Sequence, residues 1–155
     1  NFLCYFIGGP SGKSGDDYLA ELKESVKEFN LESHVKFLGN LPQTKIKDFM
    51  NKSKLLIHTS QYETFGLVAI EANSMGVPIL SINTGSLIEI IENNKNGYFA
   101  EDFMDNHANN FVRDLLNNND YFNNVMSQCI QKSEKYNWEA TADSLLKTYQ
   151  DVKLS

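Results

Sequence analysis

The sequence predicts a doubly wound α/β domain, a parallel sheet with helices on both faces, followed by a helical segment at the C-terminal end. Three observations carry that expectation. Short apolar runs alternate with amphipathic helical patterns, the reading expected of strand–helix units in a parallel sheet. Glycine or proline punctuates the runs, as at Gly8-Gly9-Pro10, Gly39 and Gly76-Val77-Pro78. The length of 155 residues, 41% hydrophobic and 22% charged, suits one compact domain, here 1–155.

Phe2 to Ile7 is a continuous apolar run ending in Gly8, so it reads as a buried strand and its turn. From Asp16 to Asn30, Leu19, Leu22, Val26 and Phe29 recur at helical spacing behind two acids, predicting an amphipathic helix. Val35 to Leu38 is a second strand, stopped by Gly39, and a short helix follows Pro42 through Ile46, Phe49 and Met50. Leu55 to His58 is a third strand. Gly66 to Ser74 reads as a buried helix, ended by Gly76-Val77-Pro78 before a strand at Ile79 to Ile82. A brief helix around Leu87 to Glu92 leads to a short strand at Tyr98 to Ala100. From Asp105 the pattern is helical to the end, broken near Asn117-Asn118-Asn119 and at Asn137. The asparagine clusters, Asn93, Asn94 and Asn96 and the 106–124 stretch, read as surface loops and caps.

Composition excludes several classes. Fourteen Lys and Arg against twenty Asp and Glu give a net charge of −6, which repels a polyanion and argues against a general nucleic-acid or anionic-membrane binder. Cys4 and Cys129 lie far apart with no CxxC spacing, as in a reducing compartment, although one bridge stays open. No run approaches the roughly 18 apolar residues of a membrane span. Asn1 leads straight into a strand with no basic region before it, unlike a signal peptide; such a start looks like a piece of a longer chain.

In a doubly wound sheet, ligands sit beyond the carboxyl ends of the strands. That directs attention to the loops at Gly8–Asp16, Gly39–Gln43, Thr59–Gly66 and Asn83–Ser86. The first contains Gly-Lys-Ser at 12–14, yet Gly8 is one residue too close for a phosphate-cradling Walker loop, and the third strand runs into His58 rather than an aspartate. The loop therefore reads as a tight turn with close backbone approach.

The segment Glu63-Thr-Phe-Gly-Leu-Val-Ala-Ile-Glu71 carries the main signal. One acid lies on the loop after a strand, the other about a turn and a half into the next helix. Between them Gly66 opens the helix, where unpaired N–H groups and the helix dipole attract phosphate. A diphosphate seated there would have a carboxylate at each end to accept hydrogen bonds from sugar or ribose hydroxyls. The structural alternative makes Glu71 a structural partner and Glu63 a solvated loop acid. A paired-carboxylate glycosidase is disfavoured by the phosphate-binding helix start between the acids. His34, His58 and His107 share no metal-ligand spacing, and His58, at a strand end, reads as structural. Ser11, Ser14 and Ser60 lack the context of a hydrolase nucleophile. Tyr136 and Trp138 read as packing anchors for the last helix, and Lys132 and Lys135 as a solvated face.

Ser60 to Pro78, with Glu63, Gly66 and Glu71, resembles the E-x7-E segment of retaining GT-B glycosyltransferases of the family four type. Gly8-Gly9-Pro10-Ser11-Gly12, Val35 through Pro42, Thr84-Gly85-Ser86 through Glu89, Asn96-Gly97-Tyr98 and Trp138-Glu139 follow in that family's order and spacing. The resemblance covers nearly the whole chain. It implies the Rossmann-like C-terminal half of a GT-B fold, binding a nucleoside diphosphate sugar, UDP- or GDP-linked, with no cofactor and no metal.

Carried over by position, Glu71 binds the ribose, and Phe65, Gly66, Leu67 and Val68 offer backbone contacts to diphosphate and sugar. Glu63 meets the transferred sugar and supplies the catalytic carboxylate, in a positional or electrostatic role. Backbone near Leu41 meets the base, and Gly8 joins the donor-binding set. The acceptor, a sugar, lipid or protein, would be held by an N-terminal domain absent here, which would also make any contact with a membrane. A cytoplasmic location, peripheral at the inner membrane face, goes with that reading. Departures are Thr64, where the family commonly has Pro, Gly85-Ser86 in place of Gly-Gly, and the absence of a preceding strand–helix unit that supplies Arg and Lys to the diphosphate. The competing class is a non-catalytic module that binds nucleotides weakly or docks to proteins.

Overall fold

The computed structural model describes residues 2–102 and 104–153. Asn1, with which the sequence enters its first apolar run, lies outside them, as do Phe103, Leu154 and Ser155. The chain divides into two compact units, residues 1–49 and 50–155.

In the first unit, β1 (Cys4–Ile7) pairs in parallel with β2 (Val35–Gly39) across α1 (Gly15–Glu28). Asn30 takes a left-handed conformation (φ 55°) just beyond α1, and Gly39 does the same (φ 65°) at the end of β2. Each forces the backbone off its path at the position where the sequence predicts a stop. The Pro42 carbonyl accepts from Lys45 N and Ile46 N in the first turn of α2 (Gln43–Met50). The opening strand differs from the buried one expected: Tyr5 and Phe6 remain 39% and 43% exposed, and no residue of α1 is buried. Two strands and two short helices are too small to close a core of their own. Phe6 stacks on Phe37 and Tyr5 tilts against Phe49, with centroids 4.9 Å apart in each pair.

The second unit holds a parallel sheet in the order β3 (Leu56–His58), β4 (Ile79–Ile82), β5 (Gly97–Ala100). The period-two alternation sorts its side chains to opposite faces. Leu56, Ile79 and Phe99 pack with α3 (Leu67–Ser74) and α4 (Leu87–Ile90) through Ala69, Ala72, Leu87 and Ile90. Leu80, Tyr98 and Ala100 pack on the other side with α5 (Asn106–Asn117), and α6 (Asn119–Ser133) adds Val125 and Cys129 beneath Phe111 and Leu115. Helices on both faces make this the doubly wound arrangement that the alternating pattern predicts. α7 (Trp138–Lys153) completes the chain.

Asparagines mark the helix starts by capping: Asn118 Oδ1 accepts from Tyr121 N at 3.0 Å, and Asn137 Oδ1 from Ala140 N at 2.7 Å. Asn96 departs from the surface role expected of its cluster. It is 1% exposed, donates to the Ile90 carbonyl and accepts from Glu92 N, tying the loop before β5. Lys132, expected on a solvated face, is 16% exposed and bonded to Glu92 at 2.7 Å. Tyr136 does anchor by packing, with its hydroxyl donating to the Glu89 carbonyl at 3.2 Å. Trp138 does not; it is 88% exposed. Both cysteines are free thiols. Among the described residues, no helix is long and apolar enough to cross a membrane.

Candidate functional site

β3 ends at His58 and delivers the chain into the loop that carries Glu63. The Glu63 carboxylate, 20% exposed, is held from two sides. Its Oε1 accepts three successive backbone N–H groups, from Thr64 at 2.9 Å, Phe65 at 3.2 Å and Gly66 at 3.0 Å. Its Oε2 meets Nε2 of His58 at 3.1 Å. The N–H groups of Gly66 and Phe65 do most to hold this carboxyl below the usual range for a glutamate, with Thr64 and His58 assisting against partial desolvation. Glu63 is thus neither solvated nor idle: it organises the turn that starts α3.

Gly66 lies at the N-cap of α3 with φ 79°. A Cβ there would stand 2.9 Å from both Leu87 Cδ2 and Ile90 Cδ1. The missing side chain therefore serves a left-handed turn and close packing on α4. Past Gly66, the amides of Leu67 and Val68 have no acceptor among the described residues. They are the free donors of this helix start. Glu71 sits half-buried one turn further along α3.

The loop after β4 closes over the same place. Thr84 Oγ1 donates to the Gln61 carbonyl at 2.6 Å. Gly85, at φ 51°, lies so close that a Cβ would overlap the Glu63 carbonyl oxygen. Among the described residues, Ser86 Oγ and His58 Nδ1 are buried without a partner. The Thr59–Gly66 and Asn83–Ser86 loops, picked out as separate candidates, thus form one structure. His58, read as structural, touches the acid directly; its signal in the sequence was its place at the end of the strand feeding the Glu63 loop.

In the first unit, Gly8 N–H donates to the Gly39 carbonyl at 2.9 Å. A Cβ on Gly9 would meet the Asn40 side chain at 2.7 Å. The loops carrying Gly8 and the half-buried Leu41 therefore run side by side, as expected beyond the carboxyl ends of neighbouring strands.

Comparison with known proteins sets this arrangement in a family. The family model for glycosyl transferases group 1 matches residues 1–151. D-inositol 3-phosphate glycosyltransferase of Rhodococcus jostii (strain RHA1) is 30% identical over 145 residues, 92% of this chain and 31% of the relative. Alpha-1,3/1,6-mannosyltransferase ALG2 of Dictyostelium discoideum is 29% identical over 120 residues, 75% of this chain and 29% of the relative. The chain spans about a third of the length of these relatives. Among solved structures, Anabaena HepE in complex with UDP aligns with a TM-score of 0.83 at 24% identity, covering 97% of this chain and 41% of that one. Sucrose-phosphate synthase from Thermosynechococcus elongatus aligns at 0.80 with 23% identity, covering 97% and 38%. These two likenesses concern the fold, the Rossmann-like C-terminal half of a GT-B enzyme. With the family model matched over residues 1–151, the chain belongs to the glycosyl transferases group 1 family and has the Rossmann-like fold of a GT-B C-terminal half.

Proposed function

We propose that this chain is the donor-binding half of a retaining GT-B glycosyltransferase of the family four type, with Glu63 to Glu71 as its E-x7-E motif. The observation that carries the proposal is the pair of unpaired amides at Leu67 and Val68, flanked by one carboxylate before the helix and one within it. A diphosphate accepts from such donors in line with the helix dipole. Glu71 then takes the ribose hydroxyls and Glu63 those of the transferred sugar. Preorganised N–H groups stabilise the charge that builds on the leaving diphosphate as the glycosidic bond breaks. Phe65 and Gly66 contribute the backbone that fixes Glu63, while Leu41 contacts the base and Gly8 another part of the donor. The donor is a UDP- or GDP-linked sugar, and the acceptor belongs to another part of the natural protein. No metal or cofactor is assigned a role. HepE, solved with UDP and with UDP-glucose, supports the donor class. On this reading the reaction runs in the cytoplasm.

A second reading is a non-catalytic module, favoured by the engagement of both Glu63 oxygens within the chain. Calorimetry on the natural full-length protein separates the two. Under the donor-site reading, Glu71→Gln weakens bare nucleotide and nucleotide sugar by similar factors of about ten or more. Glu63→Gln weakens the nucleotide sugar by a similar factor and leaves bare nucleotide nearly unchanged. A charge-assisted hydrogen bond worth about 1.5–3 kcal/mol sets that scale. Equal loss of bare nucleotide in both variants removes the division of labour. No loss in either leaves the module reading.

A further inference from the structure

We infer that His58 is a positioning residue for Glu63, its Nε2–H aiming the one carboxylate oxygen that can still accept a hydrogen bond from the transferred sugar. This rests on the donor-site reading above. Oε1 already receives three N–H groups, and a carboxylate offers about two lone-pair sites on each oxygen, so Oε1 has no place for a ligand hydroxyl. Among the described residues Oε2 has a single partner, the His58 ring at 3.1 Å, and so keeps one accepting direction open. Fixing the first direction fixes the second.

Packing does not account for this histidine. The side chain is 8% exposed and its Nδ1 is buried with no partner among the described residues, an arrangement that natural proteins seldom keep without a reason. Leucine or isoleucine, as at the two preceding positions of β3, would leave no nitrogen unmet. The ring makes one hydrogen bond and directs it to Glu63. The amides alone hold Oε1 but leave the carboxylate free to rock about that anchor; the ring removes the remaining freedom. The result is a sugar-side acceptor held by β3 and by the turn at once, a device for orientation within a rigid frame.

The test compares His58→Leu with His58→Gln in the natural full-length protein, with His58→Asn as a third variant. The Gln side chain returns a donor to the place of Nε2, whereas the Asn side chain stops short of Oε2. Affinities are measured for UDP, GDP, UDP-glucose, UDP-N-acetylglucosamine and GDP-mannose, together with turnover of the tightest sugar donor. His58→Leu and His58→Asn are expected to lower nucleotide-sugar affinity and turnover about tenfold while bare nucleotide stays within about threefold, and His58→Gln to recover most of both. If His58→Leu does not fold, the Asn and Gln pair decides by the same criteria. Sugar-nucleotide affinity and turnover unchanged in the variants lacking the donor overturn the inference. So does an equal loss of bare nucleotide, or a Gln variant as impaired as Asn. If the unmutated protein binds none of the five probes, the donor-site reading falls first and takes this inference with it.

Discussion

Glycine is required at position 85 for two independent reasons, a left-handed φ of 51° and the Glu63 carbonyl standing where a Cβ would go. Gly85→Ala must therefore push the two loops apart or strain the backbone, and unfolding in urea is expected to show a loss of about 1–3 kcal/mol. A variant as stable as the parent would mean that the two loops are not in contact. Asn96 offers a second test. Removing its buried amide strands the Ile90 carbonyl and the Glu92 N–H, so Asn96→Ala is expected to cost about 1–3 kcal/mol in the same measurement. Neither effect was legible in the sequence. Gly85 stood out only as part of a family motif and of a candidate loop, with no sign of what it packs against, and Asn96 was hidden in a run of asparagines whose neighbours do lie on the surface.

At the scale of elements, the loop after α4 is tied to α6 through Glu92, which bonds Lys132 at 2.7 Å and Lys95 at 2.9 Å. Lys132 first, then Lys95, brings the Glu92 carboxyl down to about 2 from an ordinary 4.5. A carboxyl depressed in the folded state stabilises the fold above its ordinary pKa and loses that contribution as the pH falls through the folded value. The window is therefore about 4.5 down to about 2. Because Glu92 is 43% exposed, solvent screening keeps the contribution small, under about 1 kcal/mol. Acid titration of stability is expected to be shallower in Lys132→Ala across that window, and an unchanged slope would show that the pair does not couple to folding. Element order and most boundaries were legible from the sequence. Ile79–Ile82 is the predicted strand to the residue, and the breaks between α5, α6 and α7 fall at the predicted asparagines. Period and punctuation are local properties, so a sequence displays them. Which side of α6 turns Lys132 inward depends on a partner forty residues away, and no local pattern records it.

Across the whole molecule, charge is distributed unevenly around the candidate site. No Lys or Arg occurs between Lys54 and Lys95, while the same stretch holds Glu63, Glu71, Glu89 and Glu92. The helix start offers a diphosphate two amides and a dipole worth about 0.3–2 kcal/mol, with no cation from this stretch. The chain as given is accordingly expected to bind UDP or GDP with a Kd in the millimolar range and to transfer no sugar. Micromolar binding, or acceptor-dependent release of nucleoside diphosphate, would contradict this. Lys13 lies on a loop of the first unit that has the wrong spacing to wrap a phosphate. In the natural protein, Lys13→Ala is expected to leave nucleotide-sugar affinity within about threefold, under 1 kcal/mol; a tenfold loss would restore a phosphate role to that loop.

The knot around Glu63 has a direction as well as a shape. A carboxylate can only accept, so alongside the three backbone N–H groups the His58 ring must present Nε2–H to it. An amide in its place has one acceptor and one donor. Its oxygen is claimed by the three backbone N–H groups, which turns the NH2 toward His58 and sets donor against donor. The ring relieves the conflict by carrying its proton on Nδ1 in place of Nε2, and among the described residues that buried nitrogen has nothing to receive it. Exchanging one carboxylate oxygen for nitrogen is therefore written onto a ring five residues upstream, where nitrogen chemical shifts can read the change of tautomer.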